Sequence, residues 1–287
     1  MESPTDRRLP VGQLLVHHLR FFRDRLLVGA QEQADEAGVP LRMSHLHVFF
    51  GNTGVTAAST TMFNGAPSAS DGGTLNRTGY WVPAVIDTAT GAPIQPSLMQ
   101  VYYKSGYAGV QPGEVQPFPA GLKMIAGNSK ATTADPGVHD YDRVMNWECD
   151  NGDGGEFPYL PTTCQTGTWL VMAVEFPQCW DGVHLDSADH KSHMAYPVNG
   201  GCPADHPVAL PQVTERAIYV VPASGTSTWR LSSDNYSGGP GGYSGHADWF
   251  NGWDPATMQS IVSNCENAAK DCSMDLLGDG RMLYYPS

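Results

Sequence analysis

Cations are scarce in this sequence: 16 Lys and Arg stand against 29 Asp and Glu, a formal net charge of −13. A chain of that sign gains nothing from phosphate backbones or anionic headgroups, which argues against nucleic acid and membrane as partners. Long apolar runs are missing too, since none reaches the roughly 18 residues that a bilayer-spanning helix needs. The opening stretch LPVGQLLVHHLRFF is interrupted by His17, His18 and Arg20, so it does not read as an ordinary signal peptide. No two cysteines form a C-x-x-C pair, which makes a cysteine zinc site improbable. A G-x-S-x-G elbow, a P-loop, an H-E-x-x-H helix and a dinucleotide-binding glycine fingerprint are all absent. Nucleotide chemistry is left without support.

What is present favours a β-rich globule. Hydrophobic residues make up 41% and charged residues only 16%, enough for a sizeable core. The 32 Gly and 22 Pro follow no repeat, which suits many turns joining short strands. LHVFFG, YWVPAVI, MQVYYK, GLKMIAG, TWLVMAVEF and RAIYVVP are apolar runs bounded by turn residues and read as strands. Segments 64–78, 126–140 and 150–164 read as loops. A helix is expected over 11–37, stopping at Gly38 and Pro40, and a shorter one over 255–268, opened by Asp254 and Pro255. The expected architecture is mainly β: a single-domain β-sandwich or jelly-roll-like core with long loops and few helices. Residues 1–42 form a helical lead and 43–287 one β-rich domain, expected to be a monomer.

The six cysteines, an even count in a Gly/Pro-rich chain, point to disulfides and an oxidising, extracellular setting. Fifteen pairings are open. Bridges between sequence neighbours are expected: Cys149–Cys164, Cys179–Cys202 and Cys265–Cys272. The missing signal peptide conflicts with this setting unless the start is replaced or export takes another route.

Four clusters carry candidate chemistry. In SHLHVFFGN, His45 and His47 share a face if the segment is a strand, because side chains alternate with a period of two. Paired imidazoles suit a divalent metal, or a base beside a substrate-positioning donor; two half-exposed histidines are the bland alternative. In LDSADHKSHMAYP, Asp186, Asp189, His190 and His193 follow a strong strand, where a carboxylate can support an imidazolium. The alternative there is an Asx-type turn whose Asp side chains bond local N–H groups. In GYSGHADWFNGWD, His246 and Asp248 share a face, and Trp249 and Trp253 beside them suit sugar rings, unless they are core. His206, between prolines, reads as structural.

Taken in order, SHLHVFFGN, YWVPAVI, GLKMIAGN, FPQCWDGVHLDSADHKSHMAYP, CPADHPVALP and GYSGHADWFNGW resemble the DUF1996 family, a domain of unknown function found mainly in secreted fungal and actinobacterial proteins. The resemblance covers about residues 43–266. It places the family's paired histidines on His45 and His47, its CWDG-x-x-LDS motif on Cys179 to Ser187 and its DHKSH on Asp189 to His193. A G-x-HGD-like motif falls on Gly245, His246 and Asp248, with Ala247 in place of the usual Gly. The resemblance implies work on cell-wall or other polysaccharides without supplying a reaction.

The expectation is therefore a secreted carbohydrate-active enzyme, a glycoside hydrolase before a lyase, acting on a polysaccharide or oligosaccharide. Asp186 and Asp189 are its acid/base candidates, with Asp181, Glu175, Asp234 or Asp248 as alternative partners. His190, His193 and His246 orient them and Asp248 supports His246. Trp180, Trp249 and Trp253 form the sugar platform, and His45, His47, Lys191 and Tyr196 complete substrate binding. No cofactor is required in this scheme. A variant places a divalent metal ion on His45, His47, His193 and His246. A non-catalytic carbohydrate-binding or adhesion domain is the competing class, and a lyase using Tyr196 with His193 the third.

Overall fold

Each of the six apolar runs forms strand in the computed structural model. It describes residues 45–55, 59, 68–138, 143–150, 155–273 and 275–283, with the backbone of Leu14–Phe21 and Leu27–Ala30. Two antiparallel sheets dominate, and they build the sandwich that the turn-rich composition predicts. The larger has six strands in the order Leu14–Phe21, Leu98–Ser105, Gln212–Val220, Trp169–Glu175, Met145–Asp150 and Glu156–Phe157. The smaller has five, in the order Leu27–Ala30, Leu46–Gly51, Gly79–Pro83, His246–Phe250 and Lys123–Gly127.

Alternation decides which side chains meet between the sheets. Val48, Tyr80, Val82, Met124, Ala126, Ala247 and Trp249 of the smaller sheet join Val101, Tyr103, Trp147, Met172, Val213 and Tyr219 of the larger in one core. Tyr103 ties this core together: its hydroxyl accepts from Trp253 Nε1 at 3.0 Å and Trp249 Nε1 at 3.3 Å, and lies 2.8 Å from the Tyr80 hydroxyl. Buried indole and phenol groups thus satisfy one another rather than water.

The helix expected over 11–37 is corrected. Where the backbone is described, Leu14–Phe21 is a strand paired with Leu98–Ser105, and Leu27–Ala30 a strand paired with Leu46–Gly51. LLVHHLRF spaces its apolar residues in a way that fits either period, and an open sheet edge supplies the hydrogen-bond ladder that decides between them. The rest of 1–42 lies outside the described residues. The second helix forms at Pro255–Ile261, with Asp254 Oδ1 accepting from Thr257 N at 2.8 Å, and continues into a wider turn over Val262–Glu266.

All six cysteines pair as sequence neighbours: Cys149–Cys164, Cys179–Cys202 and Cys265–Cys272. That is the chemistry of an oxidising compartment. Among the described residues no helix is long and apolar enough to cross a membrane.

Candidate metal centre

The core-facing residues of the smaller sheet fix the opposite face by elimination. His45, His47, Phe49, Trp81, Ile125, His246 and Asp248 alternate with core residues and project away from the larger sheet. His47 lies on one strand, with His45 immediately before that strand, and His246 on another, with the Gly79–Pro83 strand between. Their rings meet nonetheless. His45 Nε2 lies 2.9 Å and His47 Nε2 3.3 Å from His246 Nε2.

Hydrogen bonding sets the protonation of this trio. His246 Nδ1 donates to the Ser244 carbonyl at 2.8 Å, so its Nε2 carries the lone pair. Ser244 is itself anchored, its hydroxyl donating to Asp234 Oδ1 at 2.6 Å. Two imidazole nitrogens, from His45 and His47, therefore face a single lone pair on His246. Burial lowers all three pKa values: His47 to about 2, where repulsion by His246 and His45 adds to it, and His246 to about 3. Neutral imidazoles whose Nε2 atoms converge on one point are a donor set that a transition metal takes.

Distances support the same reading. Tetrahedral zinc with Zn–N bonds of about 2.0–2.1 Å separates its nitrogens by about 3.3 Å. The ligand atoms of the trio lie within 4.8 Å of one another, so small ring rotations bring three nitrogens to that spacing. Three ligands leave one position of a tetrahedron open, the arrangement of catalytic rather than structural sites.

Asp248 and Lys191 stand beside the trio. Asp248 is only 8% exposed, and burial pushes its carboxyl up to about 8 against the pull of Lys191. Lys191 Nζ donates to the Gly127 carbonyl at 2.7 Å. Gly127 faces His246 across the sheet, and a Cβ there would stand 2.4 Å from the Gly245 carbonyl oxygen. Glycine at this position, with φ +82°, is what lets the edge strand close on His246.

The Asp/His-rich loop contributes Lys191 to this region, while its other groups are occupied elsewhere. Asp186 Oδ2 pairs with Lys123 Nζ at 3.1 Å, and Asp186 Oδ1 with His190 Nδ1 at 2.6 Å. Partial burial raises the Asp186 pKa, but these two partners outweigh it and hold it below the usual value. Lys123 is four residues from Gly127, roughly 13 Å along the strand, which separates Asp186 from the trio. Asp189 Oδ1 accepts from the backbone N–H groups of Lys191 and Ser192 and from the Ser187 and Ser192 hydroxyls, which depresses its pKa. It is a turn-forming carboxylate, so of the acid/base pair expected from the sequence Asp186 sits in a salt bridge and Asp189 in an Asx turn.

His193 is engaged in the same way. Its Nε2 contacts the Lys123 carbonyl at 2.7 Å and its Nδ1 the Ser187 hydroxyl at 2.8 Å, leaving no nitrogen for a metal. The four-histidine set becomes three. Trp249 and Trp253 are core residues, 0% and 3% exposed, and present no face to a sugar. Trp180 is partly exposed, its Nε1 bonded to the His184 carbonyl at 2.7 Å. Tyr196 donates its hydroxyl to the Glu175 carbonyl at 2.8 Å and keeps part of its ring accessible. His206 Nε2 donates to the Ser192 carbonyl at 3.0 Å and braces the loop. Unforeseen in the sequence were Trp81, stacked at 5.5 Å on Phe49 and opposite Asp248, and the Asp234–Ser244 support of His246.

Residues 38–253 match the model of a family described as a domain of unknown function, DUF1996. The chain belongs to this family. No curated protein and no solved structure matches it. The match takes in both strands that supply the trio and the loop that supplies Lys191, so the centre is part of the DUF1996 domain.

Proposed function

We propose that this DUF1996 chain is a secreted, metal-assisted hydrolase acting on polysaccharide, with its centre on the outer face of the smaller sheet. One observation carries the reading: three neutral imidazoles from two strands turn their Nε2 atoms on one point. His45, His47 and His246 would hold a divalent ion. Bound there, it would supply an activated water and polarise a substrate oxygen. The protein's own residues do the rest. Ser244 locks the His246 tautomer, Lys191 sets a positive charge at the rim, and Asp248 stands ready to accept or donate a hydrogen bond on the same face.

The substrate class follows from charge and surroundings. A net charge of −13 repels polyanions, and a neutral polymer meets no such barrier. Three disulfides suit work outside the cell. The test is turnover of a neutral polysaccharide panel by zinc-loaded, chelated and reloaded protein, with products read by mass. Turnover that disappears on chelation and returns with zinc supports the proposal. Chelation without effect overturns the metal role, and binding without any turnover favours a non-catalytic carbohydrate-binding domain.

A further inference from the structure

The composition of the centre narrows the bond that it attacks. Cleaving a glycosidic bond needs two carboxyl groups flanking it, one to protonate the leaving oxygen and one to activate water or attack. On the face that carries the trio, the described residues place one carboxyl beside it, Asp248. Asp186 and Asp189 are engaged by Lys123, His190 and turn N–H groups, and Asp135, at the neighbouring pocket, accepts from the N–H groups of Gly137, Val144 and Met145. A metal ion with one open position and a neighbouring cation is instead suited to a carbonyl group. Its carbon accepts the water oxygen, and its oxygen gathers charge that a cation can stabilise.

A pocket opens at the edge of the smaller sheet, beside the Gly127 that pairs with His246. Its volume is about 510 Å³, within the roughly 300–1,000 Å³ of small-ligand sites. Gly127, Lys191 and Gly245 line it, and these residues are respectively the cross-strand partner of His246, the cation near it and its chain neighbour. Met145 and Met194 give the pocket an apolar lining, while the partly exposed rings of Tyr196 and Tyr243 offer faces of the kind that pack on sugars. An apolar recess beside aromatic faces matches a sugar unit carrying a short acyl substituent.

We infer that the centre removes acyl groups from sugars, breaking a carboxylic ester or amide and leaving the glycosidic chain intact; this rests on the hydrolase reading above. In the reaction a water oxygen bonds to the acyl carbon and the bond from that carbon to the sugar oxygen or nitrogen breaks. One water proton passes to the leaving sugar atom, and the acyl group departs as a carboxylic acid. Nothing is oxidised or reduced. Lys191, at the pocket rim, stabilises the charge that develops on the carbonyl oxygen.

The experiment incubates the zinc-loaded full chain with acetylated xylan, its alkali-deacetylated form, and N-acetylated chito-oligosaccharides. Acetate and chain length are followed together. Acetate release with chain length unchanged supports the inference, and the two acetylated substrates separate ester from amide. Lys191→Met should lower acetate turnover at least tenfold in kcat while keeping its bound zinc and its KM. Shortened chains without acetate overturn the inference and leave the hydrolase reading standing. Neither product from any substrate, with zinc bound, overturns both.

Discussion

Glu266 offers a test of the interior that is independent of the candidate centre. It lies in the turn that ends the C-terminal helix, is 0% exposed, and neither carboxylate oxygen has a hydrogen-bond partner among the described residues. Burial pushes its carboxyl up to about 8 from an ordinary 4.5, against the opposing influence of Ser105 and Lys104. The folded state therefore keeps a proton that the unfolded chain gives up. Stability from this group is fully present below pH 4.5 and is lost as pH rises toward 8. Each pH unit in that window costs about 1.4 kcal/mol, so the whole effect is up to about 5 kcal/mol. Glu266→Gln keeps the shape and removes the titration. Urea unfolding of both proteins from pH 5 to pH 8.5, with disulfides intact, should show the variant gaining stability relative to the parent as pH rises. A difference between them that stays constant over that range would refute the reasoning. Glu215, fully buried and also raised, adds a slope of the same sign to both proteins and cancels in the comparison.

Two further outcomes follow from local geometry. Gly127→Ala must place a Cβ 2.4 Å from a backbone oxygen at a φ of +82°, so a loss of at least about 2 kcal/mol is expected, read by urea melts. Zinc affinity should fall with it, because the contact lies against His246. Replacing Cys179 and Cys202 by Ser opens a link spanning 23 residues, which should cost about 3 kcal/mol in unfolding experiments. The trio lies outside that loop, so zinc stoichiometry should be unchanged.

Much of the sandwich was legible because its strands are short apolar runs between turn residues, and the period of two survives whatever the strand order. That period also placed His45 with His47, and His246 with Asp248. Nothing local said that the two pairs would meet, since His45 and His246 are 201 residues apart and joined only through the sheet. The Asp/His-rich loop was ambiguous for a physical reason. Asp189 bonds N–H groups two and three residues on, and short-range satisfaction of this kind produces the same composition as a catalytic loop. Trp249 and Trp253 misled because their partner, the Tyr103 hydroxyl, comes from a distant strand of the other sheet. Leu14–Phe21 misled because edge pairing, which no single segment encodes, overrode a spacing that also fits a helix.

The convergence of three imidazoles on one ion is the claim from which the proposed chemistry follows. Metal content after zinc loading and gel filtration, measured on the parent, His246→Ala and His193→Gln, tests it most directly. The account predicts about one zinc per chain in the parent and in His193→Gln, and none retained by a folded His246→Ala. A parent that holds no stoichiometric zinc, or a His246→Ala that holds as much as the parent, would contradict it.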